Sequence, residues 1–390
     1  MKHNVKSEMR QSMDALHFSE EAKNAMVNQL LAQSREQKPK FSGRKMLTVM
    51  LAAALAVMML TGAAVYTRWS HSAENRYKPT QQIKEQAEKS GLSVMLEETK
   101  GSQNPNEVLS VTDQGITITA VQTIVDNYHA EIVFRIEGFD LPENELPFVW
   151  PTVSIDGDEY FGGSQTGWFY DGLTTNEKGE TVYASSGLPV QLGEDGCLIL
   201  DMVADDGSLE YTHYINFEET DGRYMGKEIV CSFRSVGLQS HEKAGDPIPQ
   251  VEGNWELKWT LTGNSDSITI TPNVKIGDSD VILLDAEIGQ KTICARYKVD
   301  ELWGEWDQLD VLPQAVRGVH MKDGSEYRCG AGTAGFEDLD NMIYYTEWDI
   351  ADAILDVSQV ESLMFHKGWE KDANGEPTIE TFYYIPVSAN

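Results

Sequence analysis

Apolar residues recur along this chain with different periods in different places. From Met46 to Tyr66, 21 consecutive residues carry no charge. As a helix rising about 1.5 Å per residue the run spans roughly 30 Å, the thickness of a bilayer's hydrocarbon core. Upstream the period is helical. Met9, Met13 and Leu16 share one spacing, and "HFSEEAKNAMVNQLLAQSRE" follows with Ser19 as N-cap and Glu20 and Glu21 in the first turn. There Ala22, Met26, Leu30 and Gln33 share a face that Val27 and Leu31 widen, and Pro39 and Gly43 stop the helix. After the apolar run, residues 67–106 are rich in Glu, Lys, Gln and Ser and read as a polar stalk. Within it Pro79 and Thr80 open a short helix through Lys89, and "KGSQNPNE" reads as a loop.

Beyond residue 106 the period is two. "HAEIVFRIEG" puts Ala130, Ile132, Phe134 and Ile136 on one face and Glu131, Arg135 and Glu137 on the other. "GNWELKWTL" alternates Trp255, Leu257, Trp259 and Leu261 with Asn254, Glu256, Lys258 and Thr260. Such patterns predict half-buried antiparallel strands. Asp156-Gly157, Asp206-Gly207, Asp221-Gly222, Asp323-Gly324 and Asn374-Gly375 supply turn signals between them. "GITIT" at 115–119 and "SITIT" at 267–271 each open a strand, and each half closes on an alternating aromatic strand, "NWELKWTL" and "TIETFYYIPV". The expected architecture is mainly β: a helical segment 1–45, a transmembrane helix 46–66, a stalk 67–106, and two immunoglobulin-like β-sandwich domains, 107–264 and 265–390.

The flanks of the apolar run decide what kind of run it is. A cleaved signal peptide has a short leader and an apolar core of roughly 7–15 residues, whereas 45 residues precede this longer run, so an uncleaved span is the better reading. Arg35, Lys38, Lys40, Arg44 and Lys45 on its N-terminal side outnumber Arg68, Arg76 and Lys78 on the other. That bias places the N-terminus in the cytoplasm and the C-terminal part outside the cell. Residues 1–66 hold nine Lys and Arg against five Asp and Glu, so a chain of net charge −31 carries −35 beyond them. A surface that acidic repels phosphate, which argues against nucleic acid as a partner.

Cys197, Cys231, Cys294 and Cys329 all fall beyond the span. Outside the cell they allow two bridges, Cys197 with Cys231 and Cys294 with Cys329 if each stays inside one domain; four buried thiols are the alternative. No CxxC spacing suggests zinc. "SHEKAG" lacks a second histidine four residues after His241, no Gly-x-Ser-x-Gly elbow occurs, and the histidines show no ligand spacing, so neither enzyme nor cofactor nor metal site is expected. Asp156, Asp158 and Glu159 could hold calcium outside the cell, but a tight turn at Asp156-Gly157 is the better reading. Trp168, Phe169 and Tyr170, like Trp303 and Trp306, suit a β-core better than a sugar platform.

The short N-terminal helix, the span, "VLSVTDQGITITAVQTIVDNYHAEIVFRIEG" and "GNWELKW" together resemble a family of single-pass membrane proteins of Gram-positive bacteria. Their exported region is a domain of unknown function, and they are commonly encoded beside extracytoplasmic-function sigma factors and labelled anti-sigma-factor-like. Gly115, Ile116, Thr117, Asp126, Gly253 and Trp255 carry the resemblance. It implies a cell-membrane regulator whose cytoplasmic stripe Met9, Met13, Leu16, Met26 and Leu30 holds a sigma factor without a metal, while residues 46–66 sit in the lipid bilayer and the β-domains sense an unidentified extracellular ligand. The rival expectation is a membrane-tethered adhesive or structural β-protein with no transcriptional role; a simple anchor would not need the stripe.

Overall fold

The period-two segments become strands in the computed structural model, which describes residues 69–96, 107–142, 145–159, 164–176, 178–193, 196–204, 206–217, 222–240, 247–264, 266–300, 314–350, 352–371 and 376–387. Two short helices come first, α1 (His71–Tyr77) and α2 (Gln81–Ser90). The Ser70 and Thr80 side chains cap them, accepting the N–H groups of Ala73 and Ile83. Lys78 and Gly91 end them in left-handed backbone.

Helix α2 is the short helix expected after Pro79 and Thr80, but the burial of residues within 69–96 differs from a polar stalk, while 97–106 lie outside the described residues. Trp69, Ala73 and Tyr77 around α1, with Ala87 and Leu92, are buried against Ile124 and Ile354. Few apolar residues lie in this stretch, but they fall on the sides of α1 and α2 that turn inward. A composition average hides such a face; the spacing carries it.

The first β-region runs β1 (Ser93–Met95), β2 (Ser110–Asp113), β3 (Ile116–Val125), β4 (His129–Glu137), β5 (Pro147–Phe148), β6 (Thr152–Ile155), β7 (Gln165–Phe169), β8 (Leu173–Thr175), β9 (Thr181–Tyr183), β10 (Leu209–Asn216), β11 (Glu228–Gln239) and β12 (Pro247–Thr260). One sheet has the order β1-β3-β4-β10-β7 with β2 on β3; a second has β12-β11-β5 with β6 on β11; β8 and β9 form a small ribbon. The two larger sheets share one core. Phe134 of β4 meets Phe233 of β11 edge to face at 5.0 Å, and Trp255, Leu257 and Trp259 of β12 point into the same cluster, as their alternation predicts.

The second region runs β13 (Ser267–Ile270), β14 (Val274–Lys275), β15 (Ile282–Gly289), β16 (Thr292–Lys298), β17 (Val316–Met321), β18 (Glu326–Asp338), β19 (Ile343–Ile350), β20 (Val360–Lys371) and β21 (Pro377–Pro386). They form a single sheet in the order β13-β15-β16-β19-β18-β17-β20-β21, with β14 on β15. Strand β18 is its corner. Its start pairs with β17, its remainder with β19, and the register slips between Cys329 and Gly332. Both arms contribute to one core, Ile288, Ile293 and Ala295 from one side and Val319, Leu363 and Phe365 from the other.

Among the described residues no strand pairing joins the two regions. The repeated "ITIT" segments do not occupy matching places. Strand β3 is long and interior, paired on both sides, whereas β13 is a four-residue edge strand paired only with β15. Residues 69–390 nevertheless cluster as one unit. Residues 46–66 lie outside the described residues, and among the latter no helix is long and apolar enough to cross a membrane.

Candidate functional site

Strand β4 departs from its expected half-burial at the residue that matters most. Ala130, Ile132, Phe134 and Ile136 face the core, but Glu131 on the opposite side is also buried, 2% exposed. Helix α1 and the turn between β15 and β16 cover it. Tyr77 donates a hydrogen bond to Glu131 Oε1, and Lys291 Nζ lies 3.5 Å from the same oxygen while donating to the Tyr77 hydroxyl at 3.0 Å. Arg76 completes the cluster, 3.6 Å from Glu131, 3.8 Å from Asp349 of β19 and 3.6 Å from Asp352. Its guanidinium also lies 4.9 Å from the Trp168 ring centre.

A second polar group extends the same junction. Asp126 accepts from the Tyr128 and His129 backbone N–H groups at 2.8 and 2.9 Å, and from the Thr292 hydroxyl of β16 at 2.7 Å. His129 Nε2 is 3.2 Å from that hydroxyl.

The electrostatics follow from burial and pairing. Burial alone would raise the Glu131 carboxyl, but Lys291, Arg76 and the Tyr77 hydrogen bond hold it below its ordinary value. Burial lowers the Lys291 ammonium, opposed by Glu131, and burial likewise lowers His129. The arrangement ties α1 and both β-regions together. Breaking one partner of such a buried pair leaves the other charge uncompensated.

Beside this junction opens a groove of about 840 Å³. One wall is Tyr128, Ser164, Asn216 and Phe217 of the first region. The other is a face of the second sheet, where Thr269, Glu287, Cys294, Glu347 and Thr333 stand opposite one another on β13, β15, β16, β19 and β18. Two residues along, Asp285, Arg296 and Tyr345 form a parallel row on the same face. Arg296 is bound to Asp285 by both Nε and Nη2, at 2.9 and 2.7 Å, and lies 3.6 Å from Glu337. Tyr128 donates to Glu287 at 3.1 Å. Glu347 is only 9% exposed, and burial, with Asp126 nearby, pushes its carboxyl up to about 7. The groove has the size of a small-molecule site and the charge of a cation receptor.

The residues singled out in the sequence lie elsewhere or outside the described part. Met9, Met13, Leu16, Met26 and Leu30 lie outside the described residues, as do Trp303, Trp306 and His241. All four cysteines are thiols, so neither Cys197–Cys231 nor Cys294–Cys329 is bridged. Cys231 is sealed in the first core, where burial raises its thiol, and Cys197 is exposed in a loop. Asp156 and Gly157 make the tight turn, at φ 55° and 81°, with Asp156 paired to Lys227 at 2.8 Å. Trp168 stacks with Arg76, and Phe169 packs on Tyr211 at 5.1 Å. Sequence reading missed Glu131, Lys291, Glu287 and Glu347. In so acidic a chain a carboxylate stands out only once its surroundings are known.

Among solved structures, this chain is similar to a conserved domain protein from Bacillus anthracis, with a TM-score of 0.40 and 12% identity over 73% of this chain and 91% of that one. No family model matches the chain, and no curated protein matches it.

Proposed function

We propose that the protein is a membrane-anchored regulator of the anti-sigma-factor type. Residues 1–45 hold a sigma factor through Met9, Met13, Leu16, Met26 and Leu30, residues 46–66 cross the bilayer, and the two β-regions are immunoglobulin-like sensing domains outside the cell. The observation that supports this reading is the anchoring of α1. Helix α1 starts five residues after the apolar run, and its Arg76 and Tyr77 are tied to Glu131 of one β-region and to Lys291 and Asp349 of the other. A shift between the β-regions would therefore act directly on the residues next to the membrane. A flexible stalk would absorb such a shift.

The test is co-purification of the full chain with the sigma factor encoded beside it, with a reporter for that factor's promoter. Met26→Asp and Leu30→Asp each put a carboxylate into an apolar contact, and burial of an unpaired charge weakens binding by a factor on the order of a hundred or more. Both variants are expected to lose the sigma factor and raise transcription, while Asn28→Asp, on the opposite face, does neither. If the wild-type chain retains no sigma factor, a tethered adhesive or structural role replaces this reading.

A further inference from the structure

The groove between the β-regions contains a buried acid with nothing to neutralise it. Glu347 is 9% exposed and lines the groove, and its side chain makes no hydrogen bond or ion pair among the described residues. Its neighbours across the sheet are Cys294 and Thr333, neither of them a cation. Glu287, one strand beyond Cys294, faces the same space, and among the described residues its side chain receives only the neutral Tyr128 hydroxyl. Among the described residues Arg296 is the one cation lining the groove, and it is already engaged by Asp285 and Glu337. Among the described lining residues four carboxylates face one guanidinium, so the groove carries an excess of acid.

We infer that this groove is a binding site for a linear aliphatic diamine or oligoamine, with one ammonium on Glu347 and another on Glu287. The strand order fixes the spacing. The two glutamates stand on strands that both pair with β16, so their Cα atoms are roughly 10 Å apart at the usual interstrand distance. Carboxylates on one sheet face at that spacing suit two ammonium groups joined by a short alkyl chain, lying over Cys294 in a groove that Tyr128 and Tyr345 also line. An anion is repelled here. A divalent metal ion fits poorly, because among the described residues no three His, Cys, Asp or Glu side chains converge as ligands.

As the sensed signal, the amine rests on the proposed function; as a ligand of this groove, it does not. The full chain, purified in a zwitterionic detergent, is titrated calorimetrically with butane-1,4-diamine and spermidine, and with butane-1,4-diol and calcium chloride as contrasts. Wild-type protein should bind the amines and not the diol. Glu347→Gln and Glu287→Gln should each weaken amine binding at least tenfold, and Glu256→Gln, exposed on β12, should not.

The pH profile separates direct contact from a structural effect. The titratable groups facing Glu347 are Glu287, Cys294, Tyr128 and Asp126. The amine must displace the Glu347 proton, so affinity should rise about tenfold between pH 6 and pH 8 in the wild type. In Glu347→Gln that rise should disappear. Amine binding that survives both glutamate substitutions, calcium binding that Glu347→Gln abolishes, or no amine binding at all would overturn the assignment. Sigma-factor retention, measured without amine, separates failure of this site from failure of the regulatory reading.

Discussion

Glu347 shows how a single side chain makes stability depend on pH. Its carboxyl titrates at about 7 in the folded chain, against an ordinary value of 4.5. A raised carboxyl contributes stability that is fully present below the unfolded value and is lost as pH rises through the folded one. The window runs from about pH 4.5 to just above 7. The full shift corresponds to about 3 kcal/mol lost across it. Glu347→Gln removes this loss. Thermal unfolding at pH 5 and pH 8 should therefore show the variant matching the wild type at the lower pH and exceeding it at the higher. Glu131 works in the opposite sense, its stability contribution disappearing on acidification, but it is common to both proteins and cancels in the comparison. A wild type as stable as the variant at pH 8 would show that Glu347 has a partner.

At the scale of elements, α1 contributes more than its seven residues suggest. Alone, a helix this short is unstable in water. It persists because Ala73 and Tyr77 are buried and because Arg76 and the Tyr77 hydroxyl join a charged cluster. Tyr77→Phe keeps the ring and removes only the hydroxyl, leaving Glu131 and Lys291 with the longer ion-pair contacts at 3.5 and 3.6 Å in place of their hydrogen bonds. Leaving buried polar groups unsatisfied costs about 1–3 kcal/mol. Urea unfolding should show a lower midpoint with an unchanged slope. An unchanged midpoint would mean that water replaces the hydroxyl. Strand β18 holds a comparable local requirement at Gly332, where a Cβ would come within 2.0 Å of the Glu347 carbonyl oxygen. The bulge that turns the second sheet brings two backbones into contact there, and only glycine leaves room.

For the molecule as a whole, the question is whether the two β-regions unfold together. Each has its own hydrophobic core, and no strand pairing crosses between them among the described residues. They are joined by the α1 cluster, the bonds from Thr292 to Asp126 and from Tyr128 to Glu287, and the Trp69–Ile354 contact group, among other contacts. Lys291→Met would leave the buried Glu131 short of a counter-charge, and breaking a buried pair in this way costs about 3–5 kcal/mol. Calorimetry of the full chain should resolve one transition for residues 69–390 in the wild type and two in the variant. Pairing Lys291→Met with Glu131→Gln should recover much of the loss, because the unmatched charge is gone. Two transitions already present in the wild type would mean that the junction does not couple the regions.

Alternation of apolar and polar residues is local, so the sequence by itself determined a mainly β chain. It also determined the Thr80-capped helix, the turns at Asp156, Asp206 and Asp323, and the core faces of β4 and β12. The same alternation assigned Glu131 to solvent, because a period of two says which residues share a face and not what covers it. The cover for Glu131 comes from Tyr77 and Lys291, 214 residues apart in the chain. The groove likewise depends on register, which set Glu287, Cys294 and Glu347 side by side from three separate strands. Only the tertiary structure decided which carboxylates of this acidic chain are buried. A charge's solvation depends on every element packed around it, whereas its identity depends on one residue.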